Sequence, residues 1–154
     1  MEFTKAYLYE NFVEMTQELL VALDRVGTIV YINQRGCEIL DEQEESILGK
    51  NWFDSFFDKS LNDEIKGVYL ELVNGNMEFI QYFENTIMTS HNKSLLMSWN
   101  NKVLYNKDGE ITYVLSSGRD ITLERECESE LSQTKIALES VMDELKEKVS
   151  ITVR

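Results

Sequence analysis

Proline is absent from the 154 residues, so no proline interrupts a helix or strand and there is no proline-rich linker. There are two cysteines, Cys37 and Cys127, too few for a disulfide framework, and they fit a reducing interior. With a single histidine, His91, metal clusters and catalytic dyads built on imidazole have little to draw on. His91 itself sits beside Asn92 in a turn-like stretch and reads as a solvated turn residue. No glycine-rich stretch suggests a phosphate-binding loop. No apolar run approaches the roughly 20 residues of a membrane-spanning helix, and no basic leader opens the chain. Basic residues are scarce, 15 Lys+Arg against 28 Asp+Glu, a formal charge of −13. Such a surface repels phosphate backbones and anionic lipid, which argues against nucleic acid and membrane contact as the main task. The remaining composition, 43% hydrophobic and 10% aromatic, is ordinary for a globular chain, and the length suits one domain plus a tail. The expectation is a soluble, cytoplasmic, acidic domain with no catalytic residues and no metal site.

What is present begins with a helix. Lys5 to Gln17 carries Leu8, Phe12 and Met15, with Leu19 next in phase, the period of an amphipathic helix with one apolar stripe. Leu19–Asp24 and Thr28–Ile32 then read as a β-hairpin turned at Gly27, and Asn33 is placed to cap a short helix running through Ile39 and Leu40. From Asp41 to Ser60 the pattern is irregular, with one or two helical turns around Trp52, Phe53, Phe56 and Phe57. Ser60 is the expected N-cap of a longer helix, with Asp63 and Glu64 in its first turn. Leu61, Ile65, Val68, Tyr69 and Leu72 follow at helical spacing, and Asn74-Gly75 stops the helix.

Three strands are expected next: Phe79 to Thr89, Leu95 to Tyr105, and Ile111 to Gly118. The last two are joined by the hairpin signal Asn106-Lys107-Asp108-Gly109. Alternation puts Leu95, Met97, Trp99, Val103 and Tyr105 on one face, matched by Ile111, Tyr113 and Leu115, with Leu96, Leu104 and Val114 on the other. The second face is apolar enough to need a cover, and the stripe of the N-terminal helix is the nearest candidate. From Thr122 to Val149 the chain reads as one helix of about 42 Å at 1.5 Å per residue. Leu131, Leu138 and Leu145 recur every seven residues, with Cys127, Thr134 and Val141 between them. A second possible seam runs through Leu138, Met142, Leu145 and Val149. The heptad argues for a coiled coil with another chain, its dimer seam at Leu131, Leu138, Val141 and Leu145; the alternative is a helix folded back on its own domain.

Together these elements describe an α+β fold: a five-stranded antiparallel sheet with helices on one face, an N-terminal amphipathic helix and a long C-terminal coiled-coil helix. Three stretches carry a family resemblance: Leu23-Asp24-Arg25-Val26-Gly27-Thr28-Ile29-Val30-Tyr31-Ile32-Asn33, Ile47-Leu48-Gly49-Lys50-Asn51-Trp52-Phe53, and Trp99 through Asp108-Gly109-Glu110 to Gly118-Arg119-Asp120-Ile121-Thr122-Leu123-Glu124-Arg125. In these the chain resembles a PAS domain (sensory box) from Leu19 to Arg125. The end of the third stretch looks like the Asp-Ile-Thr junction where such a sheet hands over to a signalling helix in bacterial and archaeal sensor proteins, with Gly118, Asp120 and Thr122 at the joint. Asp120 or Thr122 is expected to accept hydrogen bonds from the first free N–H groups of the helix. One stretch departs from the family: where PAS domains often carry a Pro-Glu-Asp-type turn before the long helix, this chain has Phe57-Asp58-Lys59-Ser60.

The resemblance implies a cap helix over residues 1–18, a PAS domain over 19–121 and a signalling helix over 122–154. It also implies a ligand cavity between helices and inner sheet face, which alternation would line with Met97, Trp99, Asn101 and Ser117, with Tyr113 nearby. The simpler reading of Met97 and Trp99 is ordinary core. Cys37 lacks the Asn-Cys-Arg setting of cysteinyl-flavin photochemistry, and no histidine lies between Ser60 and Gly75 to ligate haem. A non-covalent flavin or another small organic ligand stays open. The implied role is a non-catalytic sensory module, homodimeric through its N- and C-terminal helices. It would feed an output domain downstream in the same chain, most often a two-component histidine kinase, otherwise a diguanylate cyclase or phosphodiesterase. A ligand-free, constitutive dimerisation module is the competing reading.

Overall fold

The computed structural model describes residues 4–153. Residues 1–3 and 154, the outer ends of the expected cap and signalling helices, lie outside the described residues. The chain divides into two units, one ending at Asp120 and the other starting at Ile121.

The first unit holds α1 (Lys5–Met15), β1 (Leu19–Leu23), β2 (Ile29–Ile32), α2 (Gln34–Leu40), α3 (Glu44–Ile47), α4 (Trp52–Phe56), α5 (Lys59–Val73), β3 (Tyr82–Met88), β4 (Ser94–Tyr105) and β5 (Ile111–Asp120). The strands form one antiparallel sheet in the order β2-β1-β5-β4-β3. This is the α+β, five-stranded arrangement expected from the sequence. On the inner face Leu19, Val21 and Leu23 of β1 lie opposite Gly118, Ser116 and Val114 of β5, and these in turn opposite Trp99, Asn101 and Val103 of β4. Cys37, Leu40, Ile47, Trp52, Phe53, Phe56, Tyr69 and Val73 bring α2 to α5 into the same core.

Local chemistry explains most boundaries. Asp24 Oδ1 accepts hydrogen bonds from the N–H groups of Val26 and Thr28, and Gly27 takes the positive φ of 86° that closes the β1–β2 hairpin. Asn33 caps α2, accepting from Gly36 N at 2.9 Å. Asn106 Oδ1 accepts from Asp108 N and Glu110 N, and Gly109 supplies φ 78° in the β4–β5 turn. The cap of α5 is Asp58 rather than Ser60, because the Asp58 carboxylate reaches Ser60 N at 3.1 Å. Its negative charge also suits the helix N-terminus.

Two expectations are corrected. The first concerns the phase of β5. Tyr105 lies opposite Ile111, yet Leu104 lies opposite Tyr113, so Thr112 is an extra residue in β5. That bulge inverts the alternation. Ile111 and Val114 are buried inward, whereas Tyr113 and Leu115 face outward and exposed. The second concerns α1. None of its residues is buried, and Leu8, Phe12 and Met15 stay exposed, so its stripe does not bury itself on the outer sheet face within one chain.

The second unit is α6, one helix from Thr122 to Thr152, 31 residues long with no buried residue. Among the described residues no helix is long and apolar enough to cross a membrane.

Candidate functional site

The inner sheet face does not close completely on α5. Between them lies a cavity of about 380 Å³, the size range of small-molecule sites. One wall is α5, whose Ile65, Val68, Tyr69 and Leu72 follow the i, i+3, i+4, i+7 rhythm that puts them on one helix face. Val21 and Leu23 of β1, Trp99 and Asn101 of β4, and Val114 and Ser116 of β5 form the floor. Trp52, Phe53 and Phe57 close one side, and the 77–80 segment with Phe83 and Asn85 of β3 closes another. Met77, Ile80 and Phe83 are exposed as well as lining, so the cavity opens to solvent at this edge.

The aromatic wall is braced. Trp99 stands edge-on to Trp52, ring centroids 5.5 Å apart at 90°, and Phe53 packs against Tyr69 at 5.0 Å. The Tyr69 hydroxyl donates to the Asp24 carbonyl at 2.7 Å, tying α5 to the β1–β2 hairpin. Burial, with the nearby Asp24 charge second, pushes this phenol well above its ordinary pKa, so it remains a neutral donor.

Polar groups on the wall are few and ordered. Trp99 Nε1 donates to Asn85 Oδ1 at 2.7 Å, and the Ser116 hydroxyl donates to Asn101 Oδ1 at 2.6 Å. Indole N–H can only donate, so the first bond fixes the Asn85 amide with its oxygen toward Trp99.

Of the residues expected to line a pocket, Trp99 and Asn101 are on its wall. Met97 is on the same face but fully buried in the core, opposite Asn85. Tyr113 and Ser117 are on the outer face, turned there by the Thr112 bulge; the Ser117 hydroxyl bonds the Glu18 carboxylate instead. Ser116 occupies the place that unbroken alternation would have assigned to Ser117. The α5 stripe, Asn85 and Phe83 were not expected on the wall. Alternation back from Ile87 would have placed Asn85 and Phe83 on the inner face. Cys37 is buried in α2 and is not among the lining residues, and burial followed by the Glu44 charge raises its thiol pKa, which disfavours the thiolate.

A model of the PAS fold matches residues 7–121. The chain belongs to the PAS family. Solved PAS domains have its fold. That of an HTR-like protein from Haloarcula marismortui is 21% identical with a TM-score of 0.59, covering 75% of this chain and 91% of that one. That of the quorum-sensing receptor RpfR from Cronobacter turicensis, in complex with BDSF, is 22% identical with a TM-score of 0.56, covering 70% and 96%. One from a two-component sensor histidine kinase is 16% identical with a TM-score of 0.58, covering 75% and 96%. No curated protein matches the chain.

At the expected junction of this PAS domain, Gly118 and Asp120 belong to β5 and Thr122 opens α6. The cap position falls on Ile121, whose side chain has no oxygen to offer, rather than on Asp120 or Thr122. Within α6, Leu131, Leu138, Val141 and Leu145 are all exposed, as are Met142 and Val149 of the second seam.

Proposed function

We propose that this PAS domain is a non-catalytic sensory module whose cavity takes a small organic ligand and whose α6 carries the response to an output domain in the same chain. The cavity is the observation that carries the reading. A core built only for stability closes over such a volume, because interiors pack to crystal-like density. Here Trp52, Trp99 and Tyr69 are braced around an open volume by hydrogen bonds and ring contacts. The PAS domain of the Cronobacter receptor RpfR, solved with BDSF and with C12:0, supports an organic ligand here. Val114 and Ser116 are on the cavity floor, and the same strand continues covalently into α6. Occupancy that shifts β5 would therefore pull on the start of α6, a population shift of the kind small inputs can bias. The histidine kinase is the output favoured by the family resemblance, with a diguanylate cyclase or phosphodiesterase next, in a soluble cytoplasmic protein.

Native mass spectrometry of gently purified protein tests the ligand. The expected result is a bound mass that leaves on denaturation, with an intrinsic tryptophan signal that changes as it leaves. A clean apo mass from several expression hosts, with no response to added ligands, would instead support a constitutive dimerisation module. The exposed α6 stripe favours that second reading, because apolar residues at heptad spacing are stabilised by pairing whether or not a ligand is bound. Both readings make the chain a homodimer through α6, joined by α1 with its bare stripe. Leu138→Glu is accordingly expected to convert a dimer to a monomer by light scattering, and an unchanged mass would remove α6 from the interface.

A further inference from the structure

Building on the cavity as a ligand site, we infer that its ligand carries no negative charge and is an uncharged or cationic amphiphile. Among the described residues, none of the lining side chains is Lys, Arg or His. The only carboxylates among the described lining residues are Glu64 on α5 and Glu78 in the 77–80 segment, both exposed. Neither carboxylate has an ion-pair or hydrogen-bond partner among the described residues, so their charge faces solvent and the cavity mouth uncompensated. The rest of the wall is aliphatic or aromatic apart from Asn85, Asn101 and Ser116. With its oxygen held by Trp99, Asn85 keeps its NH₂ as the group left to offer, which suits a neutral acceptor such as a carbonyl or hydroxyl oxygen.

A carboxylate ligand is disfavoured in either orientation. Seated among Asn85, Asn101 and Ser116 it would lose its hydration without gaining a cation. Turned outward it would meet Glu64 and Glu78, on a chain whose formal charge is already −13. An alcohol escapes both costs, and an amine turned outward gains from the same two carboxylates.

Trp52 and Trp99 are the only two tryptophans and both line the cavity, so tryptophan fluorescence reads its occupancy. Decanol, decylamine and decanoate share one chain and differ in head group. Titrated near neutral pH below micelle formation, decanol and decylamine are expected to bind about tenfold more tightly than decanoate, the ratio a single like-charge repulsion supplies at intermediate dielectric. In Glu64→Gln/Glu78→Gln, decanol should keep its affinity while decanoate gains and decylamine loses. Decanoate binding as tightly as decanol overturns the inference while the cavity stands as a ligand site. A decanoate deficit that persists in the double variant overturns the role of the two glutamates and assigns the effect to overall charge. Silence from all three probes overturns the ligand site together with the inference.

Discussion

Gly118→Ala is expected to lower the stability of this PAS domain by about 1–3 kcal/mol and to change the near-ultraviolet circular dichroism of its tryptophan pair. Gly118 on β5 is flanked across the inner face by Leu19 and Trp99, and the Trp99 ring lies over it. A methyl group at Gly118 would come within 2.4 Å of the ring, closer than any real carbon contact. The obstacle is the body of an indole rather than the tip of a flexible chain. Trp99 is also held edge-on against Trp52 and bonded through Nε1 to Asn85 at 2.7 Å. Either β5 backs away from β4 or the indole swings out, giving up an aromatic contact of about 0.5–1.5 kcal/mol and a hydrogen bond of similar worth. Urea unfolding gives the cost, and a cycle with Trp99→Leu shows whether the ring is the cause. In that background the alanine should be nearly neutral. A native-like spectrum and midpoint in Gly118→Ala would mean that the strands yield freely, and would contradict the bracing of Trp99 argued for the aromatic wall. Because Trp99 is on the wall, the proposed ligand site predicts that the variant also loses affinity for whatever probe binds there.

The parts of this fold that were legible in the sequence are those decided by neighbours in the chain. Asn33 before a helical stretch, Gly27 and Gly109 in hairpin turns, and the run without glycine, proline or strand pattern after Thr122 are each local signals, and the helices and hairpins they announce are present. The α5 cap was misplaced by two residues because Asp58 and Ser60 are both competent caps, and only the actual path of the chain brings Asp58 Oδ1 onto Ser60 N. The bulge at Thr112 was invisible for a stronger reason. Nothing in Ile111-Thr112-Tyr113 distinguishes a regular strand from one with an extra residue; the register against Leu104 and Tyr105 decides it. One such residue reverses every side chain after it, which moved Tyr113 and Ser117 off the expected pocket and put Ser116 on its wall. The cavity was legible only as a family expectation, since its walls come from segments between Val21 and Ser116 that only the fold assembles.

Replacing Asn33 should cost more than replacing any cap on the surface. Its side chain is 2% exposed and makes three hydrogen bonds, accepting at Oδ1 from Leu20 N and Gly36 N, both at 2.9 Å, and donating from Nδ2 to Glu18 O at 3.0 Å. One amide thus pins the start of β1, the end of β2 and the first turn of α2 together. In Asn33→Ala the helix loses its cap, worth about 0.5–2 kcal/mol, and the Leu20 N–H and Glu18 C=O lose their side-chain partner beside a buried site. The expected loss is about 2–4 kcal/mol in urea unfolding, a large share of the stability of a domain this size. Asn33→Asp keeps the acceptor and discards only the donor, so it should recover part of the loss at neutral pH. Hydrogen exchange separates a local from a global effect, because the Leu20 and Gly36 amides should then exchange faster than those of β4 by more than the fall in overall stability explains. If Asn33→Ala unfolded within about 0.5 kcal/mol of the wild type, ordered water would have to be replacing all three bonds. β1 would then be held by the sheet alone. Val21 and Leu23 of that strand are on the cavity floor, so if the cavity is the ligand site proposed above, loosening the start of β1 should weaken binding along with the fold.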